Sequence, residues 1–295
     1  MLPKIKNYTI QGYFNWFKLQ RIPAHKLSYA EWGDPNNENI VLCVHGLTRN
    51  ARDFDKLADR LCKNFRVICI DVVGRGQSEW FENKYHYNYD TYVKDILSFI
   101  EGVRLKNLHY VGTSMGGIIG FVIAARHPEL FKSIVLNDIG PFIQGSSLAR
   151  IAKYVGLQPI FDNFELAKAH FKVILSPFGI KDDEDWTSIT KHGTFLSPDG
   201  KYKLAYDPEI VMGMNITPQN IKDVNLWAIW NKVENPTLVI RGEKSDILSI
   251  ETAEEMLKTK KSIKLYTVPE VGHAPALMDK AQIDVIEQWL LDNKK

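Results

Sequence analysis

The sequence predicts an α/β protein: a mainly parallel central sheet with helices on both faces, and one inserted, mostly helical segment. Three observations carry this. Short runs that are apolar at every position, such as Ile40–Val44, suit strands buried on both faces. Longer stretches with an apolar period of 3.6 separate them. One interval, 141–222, breaks the alternation and offers no convincing buried strand.

Taken in order, Lys26–Trp32 alternates and suits an antiparallel edge strand. Buried strands follow at Ile40–Val44, Val67–Ile70, Leu108–Val111 and Ile134–Leu136, then at Thr237–Ile240 and Ile263–Val268. Helices are predicted between them at Ala51–Lys63, Thr91–Val103, Met115–Arg126, Thr252–Lys260 and Ala281–Leu291. Thr91–Val103 puts Tyr92, Val93, Ile96, Leu97, Ile100 and Val103 on one stripe, whereas Met115–Arg126 is apolar nearly all round and should be buried. Within the interval, Ser146–Val155, Phe164–Leu175 and Asp182–Lys191 read as helices. Ser197-Pro198-Asp199-Gly200 is a turn, and Tyr202–Tyr206 a short possible strand. Residues 1–140 and 223–295 thus form a core domain, and 141–222 an insert.

Composition narrows the classes of function. Apolar residues make up 45% of the 295 and charged residues 24%, enough core to exclude disorder as the main state. The net charge is +2, and Lys258, Lys260 and Lys261 form the densest basic cluster, so no nucleic-acid partner is expected. Cys43, Cys62 and Cys69 are odd in number and lack a CxxC spacing. They read as small buried hydrophobes in a reducing compartment. Met1–Gln20 has no apolar stretch of signal-peptide type, and Tyr110–Ala125 is too short and too rich in glycine to span a bilayer. A cytoplasmic protein with no membrane partner is the expectation. There is no HExxH or paired Cys/His spacing, so neither metal nor cofactor is expected.

Chemistry concentrates at strand ends. Leu108–Val111 runs into Gly112-Thr113-Ser114-Met115-Gly116-Gly117 and then into the buried helix. A serine on a tight strand-to-helix turn is forced outward, and the helix N-terminus aims backbone N–H groups at a developing oxyanion. A serine nucleophile needs a base. His273, in Val271-Gly272-His273-Ala274-Pro275, follows the last strand and lies on the edge where ligands bind in parallel sheets. An acid should orient its imidazole. Asp246 follows the fifth buried run and Asp138 the fourth, and both satisfy the order serine, acid, histidine; Glu243 is a third candidate. The longer loop, Glu243–Ser249, gives Asp246 reach, whereas Asp138 runs at once into Gly140-Pro141 and suits a turn-forming carboxylate. His45-Gly46-Leu47 lets the loop fold back, so the Leu47 N–H can join that of Met115 as a second oxyanion donor. His45 itself reads as a loop-holding residue. Asp71–Ser78 lacks the spacing of a phosphate loop and reads as a turn bordering the site.

These motifs, His45-Gly46-Leu47, Asp71–Ser78, Gly112–Gly117, Gly242–Asp246 and Gly272-His273, resemble the α/β-hydrolase family over essentially the whole chain. The resemblance implies a serine hydrolase with Ser114 as nucleophile, His273 as base, Asp246 as acid and the Leu47 and Met115 amides as oxyanion donors, with the insert as a cap domain. Relatives with an aspartate nucleophile are disfavoured because position 114 is serine. The expected activity is hydrolysis of a small or medium carboxylic ester or related acyl substrate. Acyl transfer, C–C cleavage by the same residues, or a non-catalytic small-molecule receptor are the alternatives. In the insert, Trp186, Phe142 and Met212, with Phe164, Phe178, Phe195 and Met214, could line an apolar substrate pocket, although at least half of them should be the insert's own core.

Overall fold

The apolar runs pair into one eight-stranded sheet, described by a computed structural model for residues 2–16, 18–213 and 221–294. Its strands are β1 (Lys4–Ile10), β2 (His25–Trp32), β3 (Ile40–Val44), β4 (Arg66–Ile70), β5 (Leu108–Thr113), β6 (Phe131–Asn137), β7 (Thr237–Gly242) and β8 (Ile263–Val268). Their spatial order is β1-β2-β4-β3-β5-β6-β7-β8. From β4 to β8 neighbours are parallel, while β1 and β2 pair antiparallel. The order turns back between β3 and β5, which makes the crevice above their carboxyl ends the place for a ligand.

One expectation is corrected. The second strand is antiparallel but not the edge, because β1 lies outside it, from Lys4 opposite Glu31 to Ile10 opposite His25. β1 shows weak alternation because its inward row is Lys6, Tyr8 and Ile10, and only Ile10 is fully buried. Lys6 turns in to meet the carboxylate of Glu31.

Helices α1 (Asp55–Leu61), α2 (Tyr89–Gly102) and α3 (Met115–Ala124) precede the insert. The insert holds α4 (Gly145–Ala152), α5 (Phe164–Ile174) and α6 (Asp183–Gly193), and α7 (Trp227–Trp230), α8 (Ile250–Thr259) and α9 (Lys280–Asp292) follow it. Alternate residues of the same strands feed opposite cores. Leu42, Val44, Ile68, Ile70, Tyr110 and Leu136 pack towards α2 and α3. Val41, Cys43, Val67, Cys69, Val111 and Val135 pack towards α1 and α9. Burial on both faces is why these strands read as unbroken apolar runs. Cys43 and Cys69 face each other across β3 and β4 as free, fully buried thiols, and Cys62 is half-buried.

The chain leaves the sheet after β6 and returns before β7. Phe142–Ile143 pairs antiparallel with Val224–Asn225, and the Leu226 N–H donates to the Pro141 carbonyl at 2.6 Å, so both ends of the insert are joined at its base. Ile160–Phe161, Tyr202–Leu204 and Thr194–Leu196 make a small three-stranded sheet beside the insert helices. Only the middle strand was anticipated. Two or three residues are too few to show a period of two.

Candidate active site

Ser114 sits between β5 and α3 with φ 50° and ψ −114°, outside the regions an ordinary side chain occupies. The flanking glycines make the turn possible. A Cβ at Gly112 would lie 2.6 Å from the Gly116 backbone, and one at Gly116 only 2.0 Å from the Val44 carbonyl oxygen. The strand, the turn and the helix therefore pack backbone to backbone, and the serine is lifted to the carboxyl edge of the sheet. Its own N–H donates to the Asn137 carbonyl at 3.0 Å, which ties the turn to β6.

The serine hydroxyl lies 2.9 Å from His273 Nε2, and His273 Nδ1 lies 2.8 Å from Asp138 Oδ2. Asp138 is fully buried, with a positive φ of 57° directly after β6. Its carboxylate also accepts the Gly242 N–H at 2.8 Å and the Ser245 hydroxyl at 2.6 Å. The result is a continuous hydrogen-bonded path from Ser114 through the imidazole to a buried, oriented acid.

This corrects the assignment of the acid. Asp246 does not reach His273. Its carboxylate is exposed and takes a two-pronged ion pair from Arg150 of α4, with Nε and Nη2 at 2.7 and 2.8 Å. Burial works against its charge, but the Arg150 bonds outweigh that and hold the carboxyl below its ordinary range. The Gly242–Asp246 segment instead serves Asp138, through the Gly242 N–H and the Ser245 hydroxyl. Gly242 also lies flush against the histidine loop: a Cβ there would be 2.3 Å from the Gly272 oxygen. Glu243 accepts the Glu270 N–H at 2.9 Å and so ties down the start of that loop.

Two further residues escaped the sequence analysis. Asn137 donates to the Pro275 carbonyl at 2.8 Å and to the Thr113 hydroxyl at 3.1 Å, joining the histidine loop to the strand that bears the serine. Ser245 is the other. The Asn137-Asp138 pair at the end of a buried run was the available signal, since two consecutive polar residues at that point must find partners. The insert also holds the histidine loop, as Gly272 and Ala276 donate to the carbonyls of Pro177 and Phe178 at 2.8 and 3.1 Å.

The other motifs frame the serine. A Cβ at Gly46 would lie 3.8 Å from that of Ser114, so the loop after β3 runs beside it. Leu47 follows Gly46, and Met115 opens α3, where its N–H has no acceptor within the helix. His45 is fully buried. Its Nδ1 lies 2.7 Å from the Gly46 carbonyl, and its Nε2 accepts the Val72 N–H at 3.0 Å. Burial pushes this imidazole down to about 3, with the charges of Arg75 and Arg49 adding to it, so it stays neutral as a brace between two loops. In the second of these loops Asp71 accepts the Ala51 and Gln77 N–H groups at 2.7 and 2.9 Å. Gly76, at φ +56°, leaves room for that carboxylate.

A small cavity of about 30 Å³ lies between Thr48–Arg49 and the insert, lined by Tyr154, Phe171, Leu175, Leu204 and Tyr206 and not by Ser114 or His273. Trp186, Phe142 and Met212 do not line it. Trp186 points inward and joins Phe171, Leu175 and Ile189 in the insert's own core. Phe142 is held opposite Asn225 in the strand pair at the base, and Met212 is exposed at the end of a short 3-10 turn. Met214 lies outside the described residues. Among the described residues no group of three histidine, cysteine or acidic side chains could hold a metal ion, and no helix is long and apolar enough to cross a membrane.

The family model of the alpha/beta hydrolase fold matches residues 39–157. The 3-hydroxybutyrate-oligomer hydrolase of Cupriavidus necator is 38% identical over 273 residues, spanning 90% of this chain and 92% of its own. The chain belongs to the α/β-hydrolase family. Solved structures agree with this placement. A hydrolase-named protein from Rickettsia typhi superposes with a TM-score of 0.93 at 46% identity, covering 98% of this chain and 99% of its own. An alpha/beta hydrolase from Novosphingobium aromaticivorans superposes at 0.85 with 30% identity, covering 99% and 98%.

Proposed function

We propose that this hydrolase cleaves carboxylic esters through an acyl-enzyme on Ser114. The observation that carries the reading is the path Ser114–His273–Asp138, with 2.9 and 2.8 Å steps ending on a buried acid. Ser114 Oγ attacks the ester carbonyl carbon while its proton passes to His273 Nε2. The negative charge that collects on the carbonyl oxygen is met by the Leu47 and Met115 N–H groups. As the C–O bond breaks, His273 returns the proton to the leaving alkoxide. A water then attacks the acyl-enzyme, giving its proton to His273, which hands it back to Ser114 as the acid departs. Asp138 fixes the imidazole with Nδ1 protonated and stabilises its cationic form. The insert acts as a cap beside the histidine loop and decides which acyl and alcohol groups fit.

The name of the Cupriavidus necator relative supports oligoesters of short hydroxy acids as the first substrates to try. In such a substrate the leaving alkoxide is the hydroxyl end of the next unit. The test combines turnover of 3-hydroxybutyrate oligomers and simple esters with fluorophosphonate labelling located by peptide mass spectrometry. The label should fall on Ser114, and Ser114→Ala should fold normally while losing ~10⁴–10⁶ in rate. Label on another residue, or a Ser114→Ala preparation that keeps more than about a hundredth of the activity, would refute the reading.

A further inference from the structure

Arg75 is fully buried between the loop after β4 and the serine turn. Its Nε donates to the Leu47 carbonyl at 2.9 Å. One Nη donates to the Val73 carbonyl at 2.8 Å and the Tyr92 hydroxyl oxygen at 2.9 Å, and the other faces the Met115 sulfur at 3.7 Å. The guanidinium carbon lies 4.9 Å from the centre of the Tyr92 ring and 5.8 Å from that of Tyr87. Every acceptor it meets is neutral. Among the described residues no carboxylate comes within ion-pair distance, and Asp207, which shares Tyr87 with it, is bonded to Lys84 and to the Tyr87 hydroxyl.

A buried cation without a counter-ion is costly unless something nearby needs positive charge. Two of the groups it touches belong to the residues whose amides we assign to the oxyanion. We propose that Arg75 is a positioning residue of the oxyanion site, holding the Leu47 peptide and the Met115 side chain in place and setting an uncompensated positive charge behind them. This rests on the acyl-enzyme reading. The ester carbonyl is neutral and the tetrahedral intermediate is anionic, so the charge favours the second over the first and acts on kcat more than on KM. The loop also joins the insert, since the Gly76 N–H donates to the Ala205 carbonyl and the Asp207 N–H to the Gly74 carbonyl, each at 2.8 Å. Arg75 is therefore held where core, insert and serine turn meet.

The test compares wild type, Arg75→Gln and Arg75→Lys in kcat, KM, thermal unfolding and affinity for phenylboronic acid, which adds to the serine oxygen as a tetrahedral anion. Arg75→Gln should lose about 100-fold in kcat with KM within about threefold, and boronate affinity should fall in parallel. Arg75→Lys, which keeps the charge, should recover at least about tenfold of the loss. The proposal is overturned if Arg75→Gln keeps kcat within about threefold of wild type, or if kcat falls while boronate affinity does not. Should Arg75→Gln fail to fold, Tyr92→Phe takes its place, removing one acceptor and leaving the ring. A several-fold drop in kcat and boronate affinity at constant KM supports the proposal, and an unchanged kcat overturns it. If wild type takes neither boronate nor fluorophosphonate on Ser114, it is the acyl-enzyme reading that has failed, and the role of Arg75 falls with it.

Discussion

Of two aspartates at the carboxyl edge of the sheet, the one on the shorter loop is the one that meets His273. Asp138 sits on the shorter loop, yet its positive φ turns the carboxylate across β7 towards His273. Asp246 has the longer loop and spends its charge on Arg150 at the surface. Asp138→Asn keeps the shape but removes the charge and favours the wrong imidazole tautomer, so kcat should fall by ~10⁴. Asp246→Asn breaks only a half-exposed ion pair, worth ~0–1 kcal/mol, and should leave kcat within a few-fold of wild type. Steady-state kinetics per phosphonate-titrated site would separate the two, and a large loss in Asp246→Asn with an active Asp138→Asn would reverse the assignment. Ser114 and His273 were legible because each is fixed by its immediate neighbours, a glycine turn in one case and a strand end in the other. The choice of acid was not, because it depends on a single backbone dihedral and on donors from β7 and its loop, more than 100 positions away in sequence.

At the scale of elements, the serine turn shows how little freedom a close backbone approach leaves. Gly116→Ala would set a methyl group 2.0 Å from the Val44 carbonyl oxygen, in the middle of a sheet that cannot yield. It should cost more than about 4 kcal/mol, or prevent folding altogether. Gly200→Ala is the control. Unlike Gly116 it has a positive φ, +76°, but nothing lies within 4 Å, so only the backbone cost of about 1–2 kcal/mol remains. Thermal unfolding of both variants decides the matter, and equal melting temperatures would contradict the packing argument. The long core strands and helices were readable from sequence because burial on one or two faces writes a period into them. β1 and the short insert strands were not, since Lys6 occupies an inward position in the first and two or three residues carry no period in the others.

For the molecule as a whole, buried imidazoles set the response to acid. Burial pushes His45 down to about 3 and His109 and His192 to about 4, with nearby lysines and arginines adding to it. Below the unfolded value of about 6.5 the unfolded chain takes up these three protons and the folded one does not. Stability is therefore lost as pH falls from about 6.5 towards 4. Asp71, raised to about 6 by burial, has the opposite sign, as do Asp55 and Asp95, which burial also raises; His86 and His170, which burial lowers, act with the other three imidazoles. His25 is also raised: burial opposes its charge, but the bond to Asp95 outweighs that, and its contribution changes only above 6.5. The melting temperature should accordingly fall between pH 6.5 and 5. A rise over that interval would show that these imidazoles are protonated in the folded protein.

The strand pair at the base of the insert has a consequence for how such a molecule can change. Because Phe142–Ile143 and Val224–Asn225 hold both ends together, the 80-odd residues beyond them are, to the sheet, a long hairpin on a fixed stem. Doubling the length of a flexible loop costs only ~0.6 kcal/mol in closure entropy, so its contents can be shortened, lengthened or exchanged without disturbing the register of β6 against β7. That register sets Asp138 against the Gly242 N–H. Away from Pro177 and Phe178, whose carbonyls hold the histidine loop, mutation can rewrite the insert while Asp138 keeps its place, and a lineage built on this stem could try new substrates without first having to reinvent its chemistry.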